Sequence, residues 1–161
     1  MATSLFSRKP YDQVSAKFVS MPTLSLSWPK FADGDFEDGA GMTLWICPPG
    51  ERYRLHYFSV QFDVPSDTAS ANTVMPERLQ AVEAAGAGDD LLTTALSLLG
   101  ADDTVDAGVL AASTADGTFD FRGGDRLGYV GAATGDPANL AGCCLKAVLI
   151  PIYQTRHVYA L

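Results

Sequence analysis

The chain has 161 residues, with 11 Lys plus Arg against 19 Asp plus Glu, and a formal net charge of −8. That length suits one domain, and 47% apolar residues with 10% aromatics suffice to fill its core, which argues against global disorder. A sequence pI near 4.5 argues against a nucleic-acid binder, because phosphate affinity rests on Lys and Arg neutralising the backbone.

No stretch supplies the roughly eighteen continuous apolar residues that a membrane span requires, so the chain is expected to be soluble, with no membrane partner. Arg8 and Lys9 are not followed by an apolar segment, so a secretory signal is not expected either. Cys47, Cys143 and Cys144 are odd in number and lack metal-ligand spacing. They read as reduced thiols of the core.

Charge is uneven along the chain. Residues 1–30 hold Arg8, Lys9, Lys17 and Lys30 against Asp12, a balance of +3, which leaves −11 for the remainder. Residues 1–22 show no sustained period but carry aromatics among the basic residues, so they read as an extended N-terminal arm ahead of a single domain over 23–161. Thr23 to Trp28 then alternates strictly, placing Leu24, Leu26 and Trp28 on one face of a strand that Pro29 is expected to stop. Residues 33–41 form an acidic, glycine-rich turn, and Met42 to Cys47 is a further strand.

Arg54 to Val64 is the strongest strand signal, with Phe58, Val60, Phe62 and Val64 on one face. Pro65 to Pro76 reads as a surface loop, and Glu77 to Gly88 is compatible with strand or helix. Leu91 to Leu99 fits a helical face capped by Asp90, but neighbouring strands favour a strand with Leu92, Leu96 and Leu98 inward. A short helical turn is expected over Thr104 to Ser113, capped by Asp103. Thr118 to Phe121, Arg126 to Ala132 and Cys144 to Gln154 complete the strands. Seven or eight strands with turn-like connections indicate an all-β chain: an antiparallel β-sandwich of jelly-roll type.

Little chemistry is spelled out. His56 reads as a strand surface residue and His157 as an exposed position, neither with a second ligand at local spacing. No Gly-x-Ser-x-Gly elbow is present. Asp33, Asp35, Glu37 and Asp38 could surround a hard cation, but Asp38 stands where an EF-hand demands Gly, and Leu44 where it demands Glu. A solvated acidic turn is the expected reading, so neither a metal nor a cofactor is implied.

Gly124-Asp125-Arg126-Leu127-Gly128-Tyr129-Val130 is similar to the entry into a late strand of trimeric dUTPases, but that family's catalytic Asp segment and glycine-rich C-terminal arm have no counterpart. A broader resemblance spans residues 42–152. Its strings are Cys47-Pro48-Pro49-Gly50 leading into a long strand, Leu98 to Ser113, and the closing strand with Cys144 to Ile152. In these the chain resembles the small β-sandwich capsid decoration, or cement, proteins of tailed phages. The resemblance implies a non-enzymatic structural protein on the exterior of the virion. It further implies a trimer that binds the major capsid protein across neighbouring shell subunits. In that setting the contacts expected from charge and aromatic placement are Phe6, Arg8, Lys9, Tyr11, Lys17 and Phe18 of the arm. The alternative is a carbohydrate- or receptor-binding sandwich using Trp28 or Trp45 as a stacking platform, although both sit in the apolar phase of their strands and read as core.

Overall fold

A computed structural model of the chain describes residues 23–36, 39–66, 72–81, 88–100, 104–132 and 140–152. In chain order the strands are β1 (Leu24–Phe31), β2 (Gly41–Ile46), β3 (Arg52–Phe62), β4 (Thr73–Leu79), β5 (Asp89–Asp90), β6 (Leu96–Ser97) and β7 (Thr104–Ala107). The short helix α1 (Ala112–Ala115) follows, then β8 (Phe121–Arg122), β9 (Arg126–Ala132) and β10 (Cys143–Pro151).

The described residues form two antiparallel sheets. Sheet one runs β1-β10-β3-β7 with β8 added to the start of β3; sheet two runs β2-β9-β4, with β5 and β6 both on the far side of β4. The pairings nest: β1 with β10, β2 with β9, β3 with β7, β4 with β5 and β6. A long antiparallel ribbon rolled up in this way is a jelly roll, an order of strands that the alternating pattern alone does not distinguish from immunoglobulin-like connections. Leu55, Phe58, Val60, Phe62, Leu145 and Leu149 of sheet one face Val74, Leu127 and Tyr129 of sheet two, all buried. Each large apolar side chain removed from water contributes about 1.5–3 kcal/mol.

Several elements depart from the sequence reading, each for a local reason. Pro29 does not stop β1: the strand continues to Phe31 through a bulge at Lys30, which adopts φ 77°. Because β1 is the end strand of its sheet, the missing proline N–H breaks no ladder. In β3 the buried face changes phase, from Tyr53 and Leu55 to Phe58, Val60 and Phe62, because the register against β10 slips at His56. His56 is exposed there, as expected of a strand surface residue.

The loop expected over Pro65 to Pro76 ends early, since β4 begins at Thr73 and includes Pro76. Within a strand, a residue's N–H and C=O point to the same side, and Pro76 O accepts the Leu91 N–H at 3.0 Å. The missing N–H of Pro76 therefore faces the break between β5 and β6, where no ladder donor is required. Leu91 to Leu99 is not a helix. Leu92, Leu96 and Leu98 are buried as the strand reading required, but that strand is interrupted after Asp90 and resumes at Leu96.

The helical turn expected over Thr104 to Ser113 is displaced. Thr104–Ala107 pairs with β3 as a strand, and the helix occupies Ala112–Ala115, while Asp103 lies outside the described residues. Thr118 and Phe119 belong to the turn after α1, held by the Thr118 N–H donating to Asp116 Oδ1 at 2.8 Å, so the expected strand shrinks to Phe121–Arg122. Arg126–Ala132 matches its expectation, and the last strand runs over Cys143–Pro151.

Candidate functional site

The expected contact residues Phe6, Arg8, Lys9, Tyr11, Lys17 and Phe18 lie outside the described residues, as does His157. The described part does define where the segment bearing them joins the sandwich. Leu24 pairs with Leu149, so β1 begins beside the end of β10, and the Ile152 N–H donates to Arg52 O at 2.8 Å.

This end of the sandwich carries an ionic network that sequence reasoning missed. Asp120, 1% exposed, accepts from Arg52 Nη2 at 2.8 Å and from Arg54 Nε at 2.7 Å. The hydrogen bond to Asp120 is the main cause that raises the Arg54 pKa, so the guanidinium stays charged. Arg78 continues the network into sheet two. Its Nη2 meets Asp89 Oδ2 at 2.6 Å, its Nη1 donates to Asp120 O at 3.0 Å, and Asp125 lies 3.9 Å away. Asp125 in turn accepts the backbone N–H groups of Ala81 and Arg122 at 3.0 and 2.9 Å.

A shallow polar groove of about 320 Å³ opens above these groups, lined by Arg78, Gln80, Thr118, Arg122 and Asp125. Its carboxylate is committed to backbone donors and to Arg78, so the arrangement ties turns to strands and sets up no acid–base pair. Spacing gives no local signal for this network. Arg52, Arg54, Arg78, Asp89, Asp120 and Asp125 come together only through the pairing of β3 with β8 and β4 with β5.

Parts of the other sites weighed from sequence lie among the described residues. Asp35 Oδ2 accepts the Ala32 N–H at 2.8 Å, and Asp35 O accepts the Tyr129 hydroxyl at 2.9 Å; Glu37 and Asp38 lie outside the described residues. Among the described residues no group of three or more His, Cys, Asp and Glu is arranged to hold a metal. Trp45 packs edge-on against Tyr53 and Phe121, with ring centroids 5.5 and 5.7 Å apart, and Trp28 packs against the same core. Both tryptophans are half-buried. Cys47 and Cys143 are buried thiols, pushed up to about 11 and about 12 by burial, whereas Cys144 is half-exposed beside Ser27 Oγ at 3.1 Å.

No family model and no curated protein matches the chain. Among solved structures it is similar to a chain described as the capsid of Ralstonia phage GP4, with a TM-score of 0.56. The likeness covers 84% of this chain and 88% of that chain at 14% sequence identity. It shows that the two share a fold over nearly their whole lengths.

Proposed function

We propose that the chain is a non-enzymatic structural protein of a bacteriophage virion, which decorates and stabilises the capsid by binding the major capsid protein across neighbouring shell subunits. The observation that carries this reading is the jelly roll shared, nearly end to end, with a chain of a phage capsid. The committed state of the Asp120 and Asp125 carboxylates supports a structural role. The balance of −11 outside residues 1–30 supports the exterior of the shell, since such a body is repelled by packaged DNA.

Decoration in this reading is the work of a homotrimer, whose three copies bind by avidity. The basic, aromatic arm supplies the anchor through Phe6, Arg8, Lys9, Tyr11, Lys17 and Phe18. Light scattering is expected to give three times the 17.1 kDa of one chain. Purified chain is expected to co-sediment with shells of the phage whose genome encodes it, and removal of residues 1–20 is expected to abolish that binding while the melting transition stays in place. Undiminished binding by the shortened chain would sink the anchoring role. No co-sedimentation by the full chain would sink decoration itself. The packing of the half-buried Trp28 and Trp45 against the core favours this reading over the carbohydrate-binding alternative.

A further inference from the structure

The two sheets do not share the charge of the chain equally. The five strands of sheet one contain Lys30, Arg52, Arg54, Arg122 and Lys146 and a single acidic residue, Asp106, although the whole chain has 11 Lys plus Arg against 19 Asp plus Glu. Asp106 does not offset these cations on the outside, because its Oδ2 is turned to sheet two, where it accepts the Ser97 N–H. The carboxylate that holds Arg52 and Arg54 is Asp120, itself only 1% exposed. The outer face of sheet one is therefore a cationic face on an acidic body.

Register fixes what else lies on it. Pro29, Cys144, Gln61 and Val105 form one row across β1, β10, β3 and β7, and Ser27, Lys146, Ser59 and Ala107 form the next. Contacts within and between the rows confirm that these side chains share a face: Ser27 Oγ lies 3.1 Å from Cys144 Sγ, and Lys146 Nζ donates to Gln61 Oε1 at 2.8 Å. Ser59 points outward beside that bridge, yet it is fully buried and its hydroxyl has no hydrogen-bond partner among the described residues. Lys146 spends one of its three N–H donors on a neutral amide, so its charge is not balanced by a carboxylate there. Ser27, Ser59 and Ala107 are small, so along this row nothing bulky keeps a second surface from the sheet.

We infer that the outer face of sheet one is a docking face of the chain, and that its occupant is an acidic surface of the shell protein, whose carboxylates meet Lys146, Arg52 and Arg54. This inference rests on the capsid reading above. A second copy suits the face less well. Two such faces set against each other bring like charges together, and setting this face on the outer face of sheet two, where Glu77 stands opposite Asp90, joins opposite sides of one body and builds an open row. The face is about 20 Å square, roughly 400 Å² or half of what each partner buries in a standard interface, so one copy holds weakly and several hold by avidity.

The test compares binding to shells of the encoding phage, stripped of this protein, by the full chain, Lys146→Glu, Ser27→Glu and Thr43→Glu, with thermal melts in parallel. Ser27 and Thr43 are both exposed, on the end strands of the two sheets, so the last two variants add the same charge to opposite faces. Lys146→Glu and Ser27→Glu are expected to bind about tenfold more weakly or worse, and Thr43→Glu is expected to bind like the full chain. Undiminished binding by either of the first two, or an equal loss in Thr43→Glu, overturns the inference and leaves the capsid reading standing. No binding by the full chain overturns both. Light scattering checks the occupant: growth beyond three chains that Lys146→Glu abolishes assigns the face to a second copy and overturns the inference. If Lys146→Glu melts early, Ser27→Glu decides the matter.

Discussion

The indole N–H of Trp28 on β1 donates to the carbonyl oxygen of Leu44 on β2 at 3.0 Å. β1 and β2 are the end strands of the two sheets, and the register of β2 against β9 slips between Thr43 and Trp45, leaving Leu44 as the extra residue of a bulge. Trp28 therefore closes one open side of the sandwich with a hydrogen bond to a strand edge. On the opposite side Asp106 Oδ2 of β7 accepts the Ser97 N–H of β6 at 3.2 Å. Trp28→Phe keeps the apolar face and removes the donor. It is expected to cost about 1–2 kcal/mol in urea unfolding, because the Leu44 carbonyl loses its partner.

Asp120→Asn is expected to be more damaging. It leaves Arg52 and Arg54 facing each other without the shared carboxylate, and removing one member of a buried ionic group costs about 3–5 kcal/mol. The two arginine side chains keep 26% and 31% exposure, so water offsets part of that loss and the expected cost is roughly 2–3 kcal/mol. Gly117→Ala tests the same network from the backbone side. Gly117 has φ 91°, and an added Cβ would overlap the Arg54 guanidinium, so this variant is expected to lower the melting temperature as well.

Glu77 on β4 stands opposite Asp90 on β5, and its pKa is raised by burial first and by Asp90 second. A carboxyl with a raised folded pKa contributes stability that is fully present below its unfolded value and lost as pH rises through the folded value. At neutral pH the ionised Glu77 is thus a liability. Glu77→Gln is expected to raise stability at pH 7 by roughly 0.5 kcal/mol, with the advantage vanishing in acid. Denaturant melts at pH 7 and pH 4 check both halves of the expectation.

Alkali acts through the buried acids. Burial pushes Cys47 up to about 11, and Cys143 and Tyr129 up to about 12. All three are neutral when protonated, so their contribution is intact below about pH 9 and is lost as pH rises through 11 and 12. A loss of near-ultraviolet circular dichroism across that window is expected. At pH 8 a thiol reagent is expected to modify Cys144 in the native chain, and all three cysteines after unfolding.

Strict alternation made β1 legible from sequence, and β10 alternates in burial in the same way, whereas β2, exposed or half-buried throughout, and β9, with Leu127, Gly128 and Tyr129 buried in succession, were legible from strand composition alone. β4 was hidden by Pro76, whose place inside a sheet depends on the gap between β5 and β6, a tertiary fact. The phase change of β3 at His56 is equally invisible, since a bulge arises from register against β10. Thr104–Ala107 is short and polar at alternate positions, and pairing with β3 makes it a strand. The ionic network around Asp120 joins residues from four separate strands and turns, so spacing carried no trace of it.

The nesting of the strands also governs how the molecule can be made. β1 pairs with β10, the last of the described strands, so a nascent chain on the ribosome holds Leu24, Leu26 and Trp28 without their sheet partner until β10 has been made. Long-range pairing of this kind places folding in the millisecond-to-second range or slower. Until then the apolar face of β1 is open to any other strand edge nearby, and the bulge at Lys30 with Pro29 before it makes that edge a poor template for misassociation.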